Sequence, residues 1–265
     1  HRISRLDRLA LLSQEQQVHH RPVHGRPSAH MFGFVERFTT ATVLELTRDH
    51  WLAHQLALQA LVRFTDEELK HHALFRRIEK MMADGMAPGY QFLPDPDAVA
   101  TAVLQKSTWA VLALILEIEL FTQEHYKQSI APEENLSDLY KDVFLFHWKE
   151  ETTHAILDEL EWPREDKKLT AAQRDRAIDE VIELVAAVDG ILQAQCAADV
   201  DYFLNVCKDS VDEDRIERLK GGVLNAYRWQ DIFSGVEHPR FQKLFIDLTT
   251  KDQRRRINAA LAPLN

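Results

Sequence analysis

The sequence predicts an all-α protein. Apolar side chains recur with the helical period over long runs, and the few glycines and prolines, 8 and 9 in 265 residues, cluster between those runs. Apolar residues make up 45% of the chain and charged residues 28%, as in an ordinary globular protein. We therefore expect four long helices packed as a bundle over about 31–162, followed by accessory C-terminal helices over about 170–262. The whole chain, 1–265, is expected to form one domain.

Prolines indicate a loop before the first bundle helix. Residues 19–30 are predicted to form this loop, because Pro22 and Pro27 interrupt any helix there. Four histidines fall in the same segment: His19, His20, His24 and His30. We interpret them as solvated loop residues, because no metal-ligand spacing organises them.

Capping and breaking residues set the remaining boundaries. Asn135 or Ser137 is a suitable N-cap for the fourth bundle helix, which is expected to end before Pro163. Gly190 and the glycine pair at 221–222 are expected to kink or break the accessory helices that contain them. Helices are predicted over 3–17, 31–47, 51–83, 98–130, 135–162, 170–207, 211–233, 240–248 and 253–261.

The net charge, the longest apolar run and the cysteines argue against several classes of protein. The formal net charge is −10 and no basic block is present, so nucleic acid is not an expected partner. The longest apolar run, residues 109–116, is too short to span a bilayer, and the N-terminus has no signal-peptide pattern. Cys196 and Cys207 have no metal or redox spacing and are expected to be free thiols in a reducing compartment. These observations predict a cytoplasmic protein without a membrane partner.

One stretch of the fourth helix places three metal-type ligands on an apolar stripe. With about 100° per residue and His147 set at zero, Glu151 falls near 40° and His154 near 340° on the helical wheel. A lone carboxylate in an apolar interior costs so much free energy that it is neutralised, paired or bound to metal. Imidazole and carboxylate groups one turn apart suit a divalent transition metal.

The second helix carries a matching pair. Glu68 and His71 interrupt a stripe of large apolar side chains, whereas Glu67 shares a face with Arg63 and Lys70 and is expected to be solvated. A single Glu-x-x-His pair occurs by chance in many helices, where it usually lies on a solvated face. Two such pairs, each on an apolar stripe, indicate a shared buried site.

The first and third helices each offer one inward carboxylate. Glu119 shares its face with apolar residues, whereas Glu117 lies on a face that we interpret as solvent or rim, and it is kept as the second choice. Glu36 and Glu45 point in opposite directions on the wheel. Glu45 lies beside the turn into the second helix, about five turns of helix from the level of Glu68, so we choose Glu36.

This inventory resembles the ligand set of the ferritin-like di-iron and di-manganese carboxylate proteins, which have one Glu from each of two helices and Glu-x-x-His from each of two others. Glu36 precedes Glu68 by 32 residues, and Glu119 precedes Glu151 by 32. His147 completes a His-x-x-x-Glu-x-x-His pattern similar to that of the p-aminobenzoate N-oxygenase type of di-iron oxygenases. In that family the ligands are four Glu and three His. The matching positions are Glu36, Glu68, His71, Glu119, His147, Glu151 and His154.

The resemblance implies two iron ions, with manganese as the other candidate metal, bridged by Glu68 and Glu151. It implies an oxygenase or oxidase that uses O2 and an electron donor on a small organic substrate, an amine undergoing N-oxygenation being one candidate. No catalytic residue beyond the metal ligands is predicted. The oligomeric state stays open, a homodimer included. Phe64, Phe75, Tyr140 and Phe144 are candidates to line a substrate pocket, but we favour plain core packing for each.

Two other functions stay open. The same ligands suit a metal-handling protein such as a ferroxidase, an iron store or a peroxide scavenger. Two cysteines cannot supply the four thiolates of a rubrerythrin-type iron site, and cage-forming ferritins are usually shorter, which disfavours this class. The third alternative is a helical scaffold whose buried Glu and His pair with one another without metal; buried ion pairs rarely stabilise a fold, so we rank it last.

Overall fold

The structure is a computed structural model that describes residues 14–207 and 212–264. Helices account for most of these residues and no β-strand occurs among them, which confirms the all-α class. The helices are α1 (Gln14–Leu46), α2 (Gln55–Asp84), α3 (Pro96–Leu104), α4 (Thr108–His125), α5 (Asp138–Asp166), α6 (Ala171–Cys207), α7 (Glu213–Arg228), α8 (Ser234–Val236), α9 (Pro239–Leu248) and α10 (Lys251–Leu261). Single turns of 3-10 helix lie at Thr47–His50 and Ala262–Leu264, and π-helical turns at Tyr126–Ile130 and Trp229–Phe233.

The prediction of a loop over 19–30 is wrong, because α1 runs through the whole segment. Tertiary contacts outweigh the local effect of the prolines there. The Arg26 guanidinium donates to Glu79 of α2 at 2.6 Å and lies 4.3 Å from the centre of the Tyr90 ring. The His30 ring stacks on Phe92 with 4.4 Å between the ring centres. Most of the helix predicted over 3–17 lies outside the described residues.

The helix predicted over 98–130 is divided into α3, α4 and a π-helical turn. Ser107 forms the division between α3 and α4: its backbone is extended and its side chain accepts a hydrogen bond from the amide of Ala110 as an N-cap. The carboxylate of Glu180 on α6 also accepts hydrogen bonds from the Ser107 amide and hydroxyl. The break therefore depends on a partner 73 residues away, which the local sequence does not reveal.

The helix predicted as the fourth of the bundle, α5, starts after Ser137, which is its N-cap, but it continues beyond the predicted end through Pro163 to Asp166. Trp162 is fully buried and holds this segment against the core. Its ring contacts Trp109 of α4 and Phe241 of α9, with centre distances of 5.0 and 5.7 Å. This burial offsets the hydrogen bond that Pro163 cannot donate.

The glycines of the accessory helices cause no interruption. α6 continues through Gly190, and α7 continues through the pair at 221–222, so the predicted break at that pair is wrong. By length and composition α6 is apolar enough to cross a membrane, although it also contributes side chains to all three apolar clusters of the protein. A core helix passes the same test, so the sequence-based expectation about membranes stays a prediction.

The four helices that carry the candidate ligands surround one interior. α1 packs along α2 and α4 packs along α5, and contacts between α2 and α5 and between α1 and α4 join the two pairs. α6 covers α1 and α4 on one side, and α8 lies against α4. Two apolar clusters fill the interior above and below the level at which the polar ligands meet.

Candidate metal centre

The structure brings all seven candidate ligands into the interior between α1, α2, α4 and α5. None of these residues has more than 4% of its surface exposed. Each helix buries its apolar stripe, and the polar residue within that stripe is buried with it. The residues are Glu36 on α1, Glu68 and His71 on α2, Glu119 on α4, and His147, Glu151 and His154 on α5.

One group of ligand atoms lies between α1, α2 and α5. Glu36, His71, His147 and Glu151 each offer one atom, and these atoms lie within 4.8 Å of one another. Nδ1 of His71 is 3.1 Å from Oε1 of Glu151, and Nε2 of His147 is 2.8 Å from the same oxygen. Glu36 Oε1 is 3.6 Å from Nε2 of His147. Two carboxylates and two imidazoles thus converge on one point.

A second group overlaps the first. Glu68, His71, Glu151 and His154 also offer atoms within 4.8 Å of one another. Nδ1 of His154 is 2.9 Å from Oε1 of Glu68 and 3.4 Å from Oε2 of Glu151. Oε2 of Glu119 lies 3.9 Å from Nδ1 of His154, at the edge of this group. Because Glu151 belongs to both groups and directs one oxygen toward each, the geometry suits two neighbouring ions.

The inward-facing atoms lack hydrogen bonds, although they lie close together. Within the described residues, orphaned buried atoms include Glu68 Oε1, His71 Nδ1, Glu119 Oε2, Glu151 Oε1 and His154 Nδ1. Both ring nitrogens of His147 are also without a hydrogen-bond partner among residues 14–207 and 212–264. Buried polar atoms in folded proteins nearly always have a partner, so this convergence of orphaned donors and acceptors fits a bound cation. Four carboxylates would also balance the charge of two divalent ions.

The outer nitrogens of two histidines are held by glutamates from the opposite helix. Nε2 of His154 donates to Glu67 on α2 at 2.9 Å, and Nε2 of His71 donates to Glu150 on α5 at 2.6 Å. A carboxylate in this position fixes the ring and leaves the other nitrogen facing the metal. The expectation that Glu67 is a merely solvated residue is wrong. The sequence does contain a signal for this role of Glu67. The motif Glu-Glu-x-x-His occurs twice, so that an additional Glu directly precedes each ligand pair.

In the metal-free cluster, protons on histidine side chains supply the positive charge that bound metal ions would otherwise supply. Burial lowers the pKa of His71, but the nearby carboxylates of Glu151 and Glu68 outweigh burial and raise that pKa to about 10. Burial likewise opposes the ionised form of Glu151, yet the charges of His154 and His71 beside it lower its pKa to about 2. Burial, together with the charges of His71 and His154, lowers the pKa of His147 well below its usual value. Burial also lowers the pKa of His154, but the charges of Glu151 and Glu68 outweigh burial and raise that pKa well above its usual value. His71 and His154 therefore carry the positive charge when no metal is bound.

The site has approximate two-fold symmetry, which His147 breaks. Glu68 approaches His154 as Glu151 approaches His71, at 2.9 and 3.1 Å. The counterpart of His147, one turn before Glu68, is Phe64. Phe64 does not offer a ligand atom; its ring stacks on His154 with 3.9 Å between ring centres. One half of the site thus has an imidazole where the other half has a phenyl ring.

The alternative carboxylates lie elsewhere. Glu45 is exposed and pairs with Arg48 at 3.1 Å. Glu117 is buried, so the solvent or rim interpretation of its face is wrong, but it faces Asp231 rather than the cluster. Burial and the charge of Asp231 raise the pKa of Glu117 well above its usual value. The structure therefore places Glu119, and not Glu117, beside the other candidate ligands.

The aromatic side chains near the cluster are packed against one another. Phe75 lies 4.7 Å from His147 between ring centres, and Phe144 lies 4.6 Å from Tyr140. Phe144 and Phe75 belong to the apolar core. The favoured interpretation of plain core packing agrees with these contacts.

Two further buried polar residues adjoin the cluster. Asp158 follows His154 by one turn and has an oxygen without a partner in the described part of the chain; burial raises its pKa well above the usual value. His125 on α4 is surrounded by Phe32 and Phe144, and burial lowers its pKa to about 4. Both extend the polar interior beyond the seven ligands.

Comparisons with known proteins identify no relative of this chain. No family model, curated protein or solved structure matches the chain. The assignment of the seven residues as ligands therefore stays a prediction that rests on the geometry of the cluster.

Proposed function

We propose that this protein is a ferritin-like di-iron oxygenase that acts on a small organic substrate, with N-oxygenation of an amine as the reaction. α1, α2, α4 and α5 are the four helices of the bundle, and the seven buried ligands hold two ions. Manganese is the other metal that the ligand set suits. The observation that carries the proposal is the convergence of orphaned Glu and His atoms in two overlapping groups that share Glu151.

The bound metals would supply the activation of O2, and the protein supplies geometry and a dry environment. In a mono-oxygenation, one oxygen atom of O2 is transferred to the amine nitrogen. The other leaves as water, with two electrons from an external donor and two protons. Phe75 and Phe144 keep water away from the side of the cluster at His147. His147 adds a neutral donor to this side without adding negative charge.

One observation favours a second candidate, a metal-handling protein without an organic substrate. Glu67 and Glu150 bind the outer nitrogens of ligand histidines, and each side chain is 30% exposed. Partly exposed carboxylates directly beside a buried cluster would attract cations from solvent. A ferroxidase needs such an entry route for the iron ions that it oxidises, whereas an oxygenase uses the route only to load its metal.

The experiment that separates these functions combines iron loading with product analysis. The protein is loaded anaerobically with Fe(II), reduced, and exposed to isotopically labelled O2 with a panel of arylamines that includes aniline and p-aminobenzoate. Labelled hydroxylamine or nitro products support the oxygenase. Rapid oxidation of Fe(II) with no product from any amine supports the metal-handling protein, and failure to bind iron refutes both.

Two variants make this comparison specific. Glu151→Gln removes a carboxylate that both ligand groups share and should abolish iron-dependent oxidation. Glu159→Gln is the matched control on the same helix: its carboxylate pairs with Arg240 at 2.7 Å, outside the cluster. The control should behave as the wild type does. Equal loss in both variants would indicate a general effect on folding.

A further inference from the structure

One exposed surface of α2 is basic, although the protein as a whole is acidic. Seven side chains between positions 69 and 81 are exposed, of which four are cationic and three are apolar, and none is a carboxylate. They are Leu69, Lys70, Ala73, Arg76, Arg77, Lys80 and Met81. Because the formal net charge of the chain is −10, this run of cations differs from the average surface of the protein.

The same surface continues onto α5. Glu150 accepts a hydrogen bond of 2.5 Å from Lys70, which joins the two helices. Phe146 lies one turn before Glu150 and is 60% exposed, and Nζ of Lys149 lies 4.9 Å from the centre of its ring. We call the seven side chains of α2, together with Phe146 and Lys149, the basic face.

Most cations of the basic face have no acidic partner. Lys70 pairs with Glu150, but no ion pair among residues 14–207 and 212–264 involves the other four cations of the face. Glu79 is the one carboxylate in this part of α2, and Arg26 binds it at 2.6 Å. Unneutralised cations on an exposed surface attract a partner of opposite charge.

The basic face lies directly outside the candidate metal centre. Glu150, which Lys70 contacts, is 30% exposed and accepts a hydrogen bond of 2.6 Å from Nε2 of the candidate ligand His71. Two hydrogen bonds to one carboxylate thus connect the face with the cluster. A partner bound here would be separated from a candidate ligand by the thickness of one or two side chains.

We propose that the basic face binds an acidic electron-carrier protein, an inference that rests on the proposed function. Each encounter oxidises the carrier by one electron. Two encounters supply the two electrons that, with two protons, reduce the second oxygen atom of O2 to water. Exposed Arg, Met and Phe side chains are typical of the centre of a protein interface, and opposite charges accelerate the encounter.

A second copy of the chain and a lipid bilayer fit this face less well. A two-fold contact between two basic faces would bring like charges together. Exposed carboxylates border the face, namely Asp66 and Asp84 on α2 and Asp142 on α5. A flat anionic bilayer would meet these carboxylates as well as the cations, whereas a protein surface can place its own donors opposite them.

The first test measures binding without iron, so it does not depend on the metal centre. The probe is an oxidised plant-type [2Fe–2S] ferredoxin, a small acidic one-electron carrier. Isothermal titration calorimetry with the full chain at low ionic strength should show one ferredoxin per chain. Raising the salt concentration about tenfold should weaken binding by about tenfold or more, because salt screens the charges. Absence of ferredoxin binding would overturn the proposal.

Charge-reversal variants locate the binding surface. The double variant Arg77→Glu, Lys80→Glu should weaken ferredoxin binding by about tenfold or more. The matched control is Lys251→Glu, Arg255→Glu, which reverses two exposed charges on α10 and should bind as the wild type does. Equal weakening in both double variants, or none in the first, would overturn the proposal.

Two further measurements test the apolar part of the face and the alternative partner. Phe146→Ala should weaken ferredoxin binding several-fold at constant charge, whereas Ile246→Ala, which truncates a side chain 50% exposed on α9, should not. Vesicles of phosphatidylcholine with about 30% phosphatidylserine should not sediment the protein. Sedimentation that Arg77→Glu, Lys80→Glu abolishes would assign the face to a membrane and overturn the proposal.

The last test concerns electron transfer to the iron-loaded, oxidised protein. Arg77→Glu, Lys80→Glu should slow reduction by reduced ferredoxin by about tenfold or more. It should not slow reduction by reduced methyl viologen, a small molecule that needs no docking surface. Unchanged reduction by ferredoxin would overturn the proposal. A chain that binds ferredoxin through this face but binds no iron would refute the proposed function and leave the docking surface standing.

Discussion

Glu67 on α2 accepts a hydrogen bond of 2.9 Å from Nε2 of His154 on α5, although the two residues are 87 positions apart in the chain. Glu150 on α5 accepts the corresponding bond from Nε2 of His71 on α2 at 2.6 Å. Each Glu-Glu-x-x-His motif therefore orients the histidine of the other motif. This exchange directs Nδ1 of both rings into the cluster and ties α2 to α5 at its level.

Replacing Glu67 by Gln should weaken metal binding by roughly 10–100-fold, because His154 loses the carboxylate that orients it and makes it more basic. Glu150→Gln should have a similar effect through His71. Lys70→Gln is the control: Lys70 pairs with Glu150 at 2.5 Å on the surface, and its loss should change affinity only about twofold. Competition with a metal chelator of known affinity measures all three. Equal effects of Glu67→Gln and Lys70→Gln would contradict this role.

His147 should contribute to one ion only. His147→Ala, and also His147→Phe, which makes this position resemble Phe64 in the other half, should retain the fold and leave one tight and one weakened site. His125→Phe is the matched control, because it removes a buried imidazole that no candidate carboxylate among the described residues approaches closely. Equilibrium dialysis at increasing metal concentration resolves the two sites. Two sites of unchanged affinity in both His147 variants would show that His147 is only a packed core residue.

Removing one ligand should stabilise the metal-free protein. Glu119 is 2% exposed and has an oxygen without a partner in the described part of the chain, so Glu119→Leu should raise the free energy of unfolding of the metal-free form by about 1–3 kcal/mol. The same variant should lose much of the stabilisation that metal gives to the wild type. Urea unfolding with and without metal measures both effects. A destabilised metal-free variant that still gains as much from metal would contradict the assignment of Glu119.

Asp199 on α6 should make stability depend on pH. Burial raises its pKa to about 7, although hydrogen bonds from Tyr227, Gln195 and Tyr90 oppose this rise. A raised pKa means that the folded state binds the proton more tightly. Its contribution is therefore complete below about pH 4 and is lost as the pH rises to about 7, by up to about 1.4 kcal/mol per pH unit. Urea unfolding measures the free energy of unfolding of the wild type and of Asp199→Asn at each pH. The difference between the two free energies should change over this range, and a constant difference would contradict this role of Asp199.

The candidate ligands can be chosen from the sequence because each lies on the apolar stripe of its own helix. Glu68 and Glu151 are identified by local periodicity alone, and Glu36 is separated from Glu45 by counting turns. The structure brings these residues together with His71, His147 and His154. Their role as metal ligands stays a prediction.

Features that depend on distant partners could not be predicted in this way. Glu67 lies on a polar face of α2, and its function depends on a histidine from α5. The break at Ser107 depends on Glu180 of α6, and the helix that contains Pro22 and Pro27 is held by the contacts of Arg26. Local propensity is overridden wherever such tertiary contacts exceed it in free energy.

Counting the bound ions tests the central claim most directly. Metal-free protein is titrated with Fe(II) without oxygen, freed of unbound metal by gel filtration and analysed for iron and protein, beside a Glu68→Gln, Glu151→Gln double variant. The account predicts two iron ions per chain for the wild type and fewer than one for the variant. A wild type that retains fewer than one ion, or a variant that retains two, would contradict the assignment of this buried cluster as a two-metal centre.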